Sequence, residues 1–321
     1  MDRFITVSGT PHVRSKDSVQ GTMRDVIIAL LPATVMGIYF FGMRALALVA
    51  ISIVSAVFFE FIYQKLMKKT VTIDDLSAVV TGLLLAMNMP ASAPFWMPVV
   101  GSAFAIIVAK QLFGGLGQNF INPALAARAF LLASYPTAMT TWTDPSGMAD
   151  ATTYATPLAV LKNAATNGFV PSSNDTMNAL IGNVGGCIGE TCAIALILGG
   201  IYLIYRKVIS WRIPVVYIAT VFVLTGAIGR AGLRVPVYEI LVGGVMLGGF
   251  FMATDYASSP ITPKGQIIFA LGCGLLTSLI RIFGGYPEGV SYSILIMNLC
   301  VPLIDRFTEP KIFGAPEVKK A

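Results

Sequence analysis

Apolar runs of spanning or near-spanning length recur along the chain, at about 26–42, 45–63, 76–89, 94–112, 123–135, 190–205, 213–229, 237–254, 265–283 and 289–304. The polar connections between them are short, except for the stretch 136–189. A bilayer core of about 30 Å takes roughly 20 apolar residues in helical form. Inside it the backbone must satisfy its own hydrogen bonds, which a helix does. The pattern therefore predicts an all-α polytopic membrane protein with ten transmembrane segments. Two runs are too short to cross. The third and fifth hold 14 and 13 residues, which reach only about 20 Å. One ends at Met89-Pro90 and the other begins at Asn122-Pro123. Half-crossing helices are tolerated only when buried in protein or lining a cavity, and they point to a central site.

The runs also look duplicated. Phe113-Gly114-Gly115 matches Phe283-Gly284-Gly285 at an offset of 170 residues. Ala91-Ser92-Ala93-Pro94 matches Ala257-Ser258-Ser259-Pro260 at 166, and Val80-Thr81-Gly82 matches Val242-Gly243-Gly244 at 162. Two halves of five spans follow, and because five is odd they insert in opposite senses, as transporter repeats do. The organisation read from this is 1–135 for an N-terminal cytoplasmic segment and the first half, 136–189 for an extracytoplasmic loop, and 190–321 for the second half and a cytoplasmic C-terminal tail. The competing explanation is that small-residue membrane helices resemble one another by composition.

Charge sets the orientation. With ten spans both termini share a side, and that side collects 15 Lys/Arg against 4 on the other: Arg44, Lys162, Arg230 and Arg234. By the positive-inside rule both termini are cytoplasmic and 136–189 faces outward. The first 25 residues are polar and carry Arg3, Arg14, Lys16 and Arg24, which argues against a cleaved signal peptide. Composition agrees with the membrane reading: 55% hydrophobic and 12% charged, half the charge of an average soluble domain. The net charge of +6 is thus a topology signal, and no nucleic-acid partner is expected. One histidine, His12, and four scattered cysteines leave too few soft ligands for a self-contained metal site.

Candidate chemistry is sparse. No nucleophile–base pair, carboxylate dyad or phosphate loop is present, so no residue is assigned as catalytic. Gly115-Leu116-Gly117 and Gly272-Cys273-Gly274 lie in or beside spans, where close helix packing explains them better than a dinucleotide turn. Ionisable residues inside spans are functional by default. Arg128, midway along the short fifth run, needs a carboxylate, carbonyls or an anionic ligand. Glu60 and Asp255 are candidates for an ion path, with snorkelling or helix-end roles as the alternative. Gly185-Gly186-Cys187-Ile188-Gly189-Glu190-Thr191 reads as the glycine-rich opening of the sixth span, where free N–H groups could meet an anion; the alternative is plain loop packing. Cys187 and Cys192 read as structural thiols, with pairing as the other possibility.

The long loop carries Asp150-Ala151-Thr152-Thr153-Tyr154-Ala155-Thr156. Its spacing, Asp-x-x-Ser/Thr-x-Ala-Thr, resembles the site where a flavin transferase links FMN phosphate to threonine; otherwise it is a hydroxyl-rich loop. Together with GGLGQNFINPALAARAFL at 114–131, GCIGET at 186–191, ATDYASSPITPKG at 253–265, IRIFGGYPEGVSYSILIMNLCVPLIDRFTEP at 280–310 and SGTPHVRSKDSVQGTMRDVIIALLP at 8–32, it resembles the RnfD/NqrB family over nearly the whole chain. That resemblance implies a urea-transporter-like fold and a subunit of an ion-translocating ferredoxin:NAD⁺ oxidoreductase, a translocase in which this chain is not catalytic alone. It implies FMN linked covalently to Thr156, with Asp150, Thr153, Ala155, Gly186, Gly189, Glu190, Arg128 and Asn122 as cofactor-binding candidates, and a second, non-covalent flavin, riboflavin. The partners implied are the other Rnf subunits (A, B, C, E and G), ferredoxin and NAD⁺ through them, membrane lipid, and the flavin transferase during maturation. The chain departs from the family motif at Tyr154 and Ala151, where glycine is usual. The reading from another class is a solute channel of the urea-transporter type, since fold does not fix function.

Overall fold

A computed structural model describes residues 18–143, 145, 155–163, 169–229, 235–285 and 288–310. Asp150 and Thr153, with Ala151 and Tyr154, lie outside the described residues. A helix falls on each of the ten apolar runs, and the described residues form no strand beyond an isolated antiparallel bridge between Pro90 and Cys187. Among the described residues, four helices are long and apolar enough to cross a membrane. The architecture is that of a mostly helical, polytopic membrane protein.

The first two runs are covered by α1 (Val19–Leu66), which folds back at Gly42, φ 71 and ψ −161. Ser18 caps its start, accepting from the Gly21 N–H at 3.0 Å. Next come α2 (Ser77–Met87), α3 (Trp96–Ala103), which continues as a π-helical turn over Phe104–Val108, and α4 (Pro123–Ser134). The α4 start falls where its sequence predicts. Asn122 is the N-cap, its Oδ1 accepting from Ala124 and Leu125 N–H at 3.0 and 3.2 Å, and proline fills the position whose N–H would be unpaired anyway. Two short surface helices, α5 (Pro136–Thr140) and α6 (Pro157–Lys162), and the capped α7 (Ser173–Ile181) follow.

In the second half α8 (Ala193–Tyr205) and α9 (Arg212–Ile228) correspond to the sixth and seventh runs. The eighth run is broken into α10 (Pro236–Leu241) and α11 (Val245–Leu247), the latter passing into a π-helical stretch at Gly248–Met252. The break sits at Gly243, φ 72, where an added Cβ would lie 2.6 Å from Leu158 Cδ1. Two full-length helices close the chain, α12 (Pro263–Phe283) and α13 (Val290–Thr308). The expected shortness of the third and fifth runs holds, at 11 and 12 helical residues.

One boundary differs. The segment expected to open the sixth span is not helical, because α8 starts only at Ala193. Residues 187–190 instead form a tight turn, Glu190 N–H donating to Cys187 O at 3.1 Å, and this turn packs against the chain leaving α2, with Ile188 N–H donating to Met89 O at 3.0 Å and Gly189 N–H to Met87 O at 2.9 Å. Glycine is required there: a Cβ on Gly189 would stand 2.4 Å from Met87 Cβ. Arg44 stabilises the same non-helical stretch from outside, donating to the carbonyls of Ala91, Ser92 and Ala93. A backbone that leaves the helix inside an apolar bundle must find partners for every polar group, and these contacts supply them.

Candidate functional site

Two regions deep in the bundle hold the chemistry, and α4 links them. Its N-cap Asn122 faces a cavity of about 80 Å³ lined also by Thr22, Lys110, Asn119, Thr254 and Asp255. Arg128, six residues along and about 9 Å further on at helical rise, faces the other region. The Asn122 Nδ2 donates to Met252 O at 3.2 Å, so the short helix is pinned to the π-helical segment of the second half.

Arg128 is buried at the meeting of four chain segments. Its Nη1 donates to Asn88 Oδ1 at 2.9 Å, just past α2, and to Glu190 Oε1 at 3.1 Å. Its Nη2 donates to Glu288, before α13, and lies 3.5 Å from Cys187 Sγ. The need for a carboxylate is thus met from within the chain. Beside it, Arg281 is fully buried and donates to Glu239 O at 2.5 Å, Glu239 Oε2 at 3.4 Å and Glu288 O at 3.0 Å. This cluster is built of residues far apart in sequence, so neither Glu288 nor Asn88 stood out as a site residue. The signal that could have found them is polarity at helix breaks: Asn88 stands before Met89-Pro90 and Glu288 between Pro287 and Gly289.

Thr156 borders this cluster. It lines a narrow cleft with Gly185, Gly186, Glu190, Thr191, Gly243 and Glu288, among others. The expected solvent-exposed loop position is not what the hydroxyl has: Thr156 is 5% exposed and serves as N-cap of α6, accepting from Ala159 N–H at 3.2 Å. Burial follows from the residues after it, since Leu158 and Leu161 are core side chains that draw α6 onto the bundle. Ala155 is exposed beside it. A phosphodiester on Thr156 fits this setting on one condition. The ester oxygen keeps lone pairs for the cap, and nothing lies within 4 Å of a Cβ placed on Gly186, but the carboxylates of Glu190 and Glu288 require the phosphate to point away from them.

The other assignments sort by distance from that cleft. Gly186 and Glu190 line it, whereas Gly189 does not, and its N–H is already used by Met87 O. The anion-binding helix start expected at 185–191 is therefore corrected: no helix begins there, and Glu190 brings negative charge. Arg128 meets Glu190 rather than the cleft itself, and Asn122 belongs to the other cavity. Cys187 and Cys192 are both free.

Glu60 neither snorkels nor caps a helix end. It is 0% exposed and is gripped by Lys110 Nζ at 2.9 and 3.0 Å and by Gln111 Nε2 at 2.7 Å. Lys110 gives its remaining proton to Ser77 Oγ at 2.6 Å. Asp255 lies in the turn after the π-helical stretch, half-buried at the cavity wall, accepting from Ser258 Oγ at 2.9 Å and Asn119 Nδ2 at 3.4 Å. Burial pushes its carboxyl up from the ordinary value.

The chain is similar to known proteins over nearly its whole length. The NQR2, RnfD, RnfE family matches residues 6–314. The chain is 57% identical over 316 residues to the D subunit of the Na(+)-translocating ferredoxin:NAD(+) oxidoreductase complex of Acetobacterium woodii, covering 98% of this chain and 97% of that one. It is 50% identical to the D subunit of the proton-translocating ferredoxin:NAD(+) oxidoreductase complex of Clostridium ljungdahlii, over 97% and 96% of the two chains. The D subunit of an ion-translocating oxidoreductase complex from Halorhodospira halophila is 36% identical over 95% and 94%. A match over almost the full length at these identities leaves one conclusion: the chain belongs to the NQR2, RnfD, RnfE family.

Proposed function

We propose that the chain is the membrane subunit of an Rnf-type complex that passes electrons between reduced ferredoxin and NAD⁺ and couples this to ion translocation. The near full-length identity to the D subunits of two ferredoxin:NAD⁺ oxidoreductase complexes carries this reading. Those two relatives are named for different ions, so identity favours neither Na⁺ nor H⁺. The chain would work with the other Rnf subunits, A, B, C, E and G, in a prokaryotic plasma membrane, with both termini cytoplasmic and the Thr156 cleft on the outer side.

In this proposal FMN is tethered through its phosphate to Thr156 by a flavin transferase. The cofactor supplies the redox chemistry, and the chain supplies position, electrostatics and shielding. Support comes from where Thr156 stands: at the mouth of a polar cleft, against the buried Arg128–Glu190–Glu288 cluster. Asp150 and Thr153 serve the transferase. Thr156 is buried once α6 docks, so attachment precedes docking or requires α6 to lift. The cavity at Asn122, mainly apolar with Asn119 and Asn122 on its wall, is the place for the non-covalent flavin, riboflavin, and at about 80 Å³ it would have to widen to admit the ring system. Ten spans arranged as two inverted halves would put both sites at the junction, and the broken helices would be the element that shifts with redox state. Asp255, on the cavity wall, and Glu60, behind Lys110, are the ion-path candidates on the cytoplasmic side.

The test is a denatured, purified band viewed under ultraviolet light. Fluorescence is expected when the transferase is present, and Thr156→Ala abolishes it. A dark wild-type band would overturn the covalent-flavin reading. The solute-channel reading is disfavoured by the near full-length identity to D subunits of ferredoxin:NAD(+) oxidoreductase complexes.

A further inference from the structure

The Arg128 cluster is short of one positive charge. One guanidinium serves two carboxylates, Glu190 and Glu288, whose side chains are 3% and 18% exposed. The neighbouring charges do not make up the difference: Arg281 is matched by Glu239, and Cys187 contributes a thiol whose Sγ donates to Asn88 O at 3.3 Å. A buried carboxylate left without a counter-charge is costly. A second observation points the same way. Thr191, 1% exposed, lines the cleft shared by Glu190 and Glu288, and its Oγ1 has no hydrogen-bond partner. A buried, unpartnered hydroxyl lining the same cleft as two carboxylates is an unused oxygen ligand.

We propose that this cleft binds one monovalent hard cation, of the sodium kind, through Glu190, Glu288 and the Thr191 hydroxyl. Oxygen donors suit such an ion. Cys187, Glu190 and Glu288 offer ligand atoms within 4.8 Å of one another, but a soft metal shared with Cys187 is disfavoured because that thiol keeps its proton in a hydrogen bond to Asn88 O at 3.3 Å. The proposal deepens the ion-coupled reading above and rests on it for its purpose. A flavin carried on Thr156 would bring redox chemistry close to the site: added negative charge there would favour the bound cation, and its loss would favour release. Charge coupling of this kind needs only proximity in a low dielectric. Electron flow and ion occupancy would then be linked at a place outside the Asp255 cavity.

The experiment is equilibrium binding of radioactive sodium to the purified, assembled complex in choline buffer. Wild type is expected to hold a saturable sodium equivalent that Glu288→Gln removes. Thr191→Val is expected to weaken it by at least about tenfold, the usual scale for losing a contact at a metal site, and Thr191→Ser to restore it. Complex assembly, followed by gel filtration, separates a binding defect from misfolding. Unchanged sodium binding in both Thr191→Val and Glu288→Gln, or no saturable sodium in wild type, would overturn the site. The binding readout needs no flavin, so a dark band in the test above and an absent cation fail separately.

Discussion

The bundle buries two polar clusters that look alike in composition and differ in balance. At Glu60, one carboxylate faces one ammonium, and every donor of Lys110 is used: two contacts to Glu60 and one to Ser77. At Arg128, two carboxylates face one guanidinium, and a hydroxyl nearby is idle. The first arrangement is closed and has nothing left to bind. It ties α1 to the chain following α3 and to the start of α2. The second is open by one charge and one ligand atom, and it lies beside the residue proposed to carry the cofactor. Burial alone does not separate a structural pair from a site; the count of charges and unused atoms does.

Breaking that contrast gives the largest effect. Glu60→Gln leaves Lys110 charged, buried and without a carboxylate, and should cost about 3–5 kcal/mol, seen as a fall in the thermal midpoint of the assembled complex. The double variant Glu60→Leu with Lys110→Met should recover most of that loss, since a buried pair exchanged for apolar residues is often neutral. Full ion transport in the double variant would make Glu60 a staple, whereas lost transport with recovered stability would keep it on the ion path. Glu288→Gln should behave in the opposite way, because it leaves Arg128 matched one to one with Glu190. Its thermal midpoint in choline should equal or exceed wild type, and the added stability that sodium confers on wild type should vanish. A fall as large as that of Glu60→Gln would put Glu288 in the closed class.

Intermediate effects come from the backbone that brings the two regions together. Gly243→Ala places a Cβ 2.6 Å from Leu158 at φ 72 and should cost about 1–3 kcal/mol. Because the contact is with α6, protease sensitivity near Thr156 should rise with it. The smallest effect is expected for Thr156→Ala. Losing the α6 cap costs about 1 kcal/mol, while the covalent flavin signal disappears entirely. Thr156→Ser keeps the cap, so any loss of fluorescence there reports on transferase recognition rather than on folding.

Much of this was legible in the residues. Period and length marked a helix at each apolar run, and Asn122-Pro123 marked the start of α4, whereas the role of Asn122 as its N-cap came from the structure. The shortness of α2 and α4 likewise followed from Met89-Pro90 and Asn122-Pro123. Arg128 was recognisable as costly in its position. Its partners were not, since Glu190 and Glu288 lie 62 and 160 residues away in sequence. The glycines at 186 and 189 misled for a related reason. Glycine permits a helix start and a tight turn equally well, and only the arrival of Met87–Pro90 alongside selects the second.

What the sequence by itself determined is therefore what depends on near neighbours and on the solvent: membrane residence, a helix at each apolar run, the shortness of the third and fifth, and the family motifs. The tertiary structure alone decided which buried charges are balanced, that Glu60 is enclosed rather than snorkelling, and that the Thr156 hydroxyl is tucked under α6 beside a carboxylate pair. The physical reason is that a charge in a low dielectric takes its meaning from whatever lies within a few ångströms, and in a bundle of short and broken helices those neighbours come from distant parts of the chain.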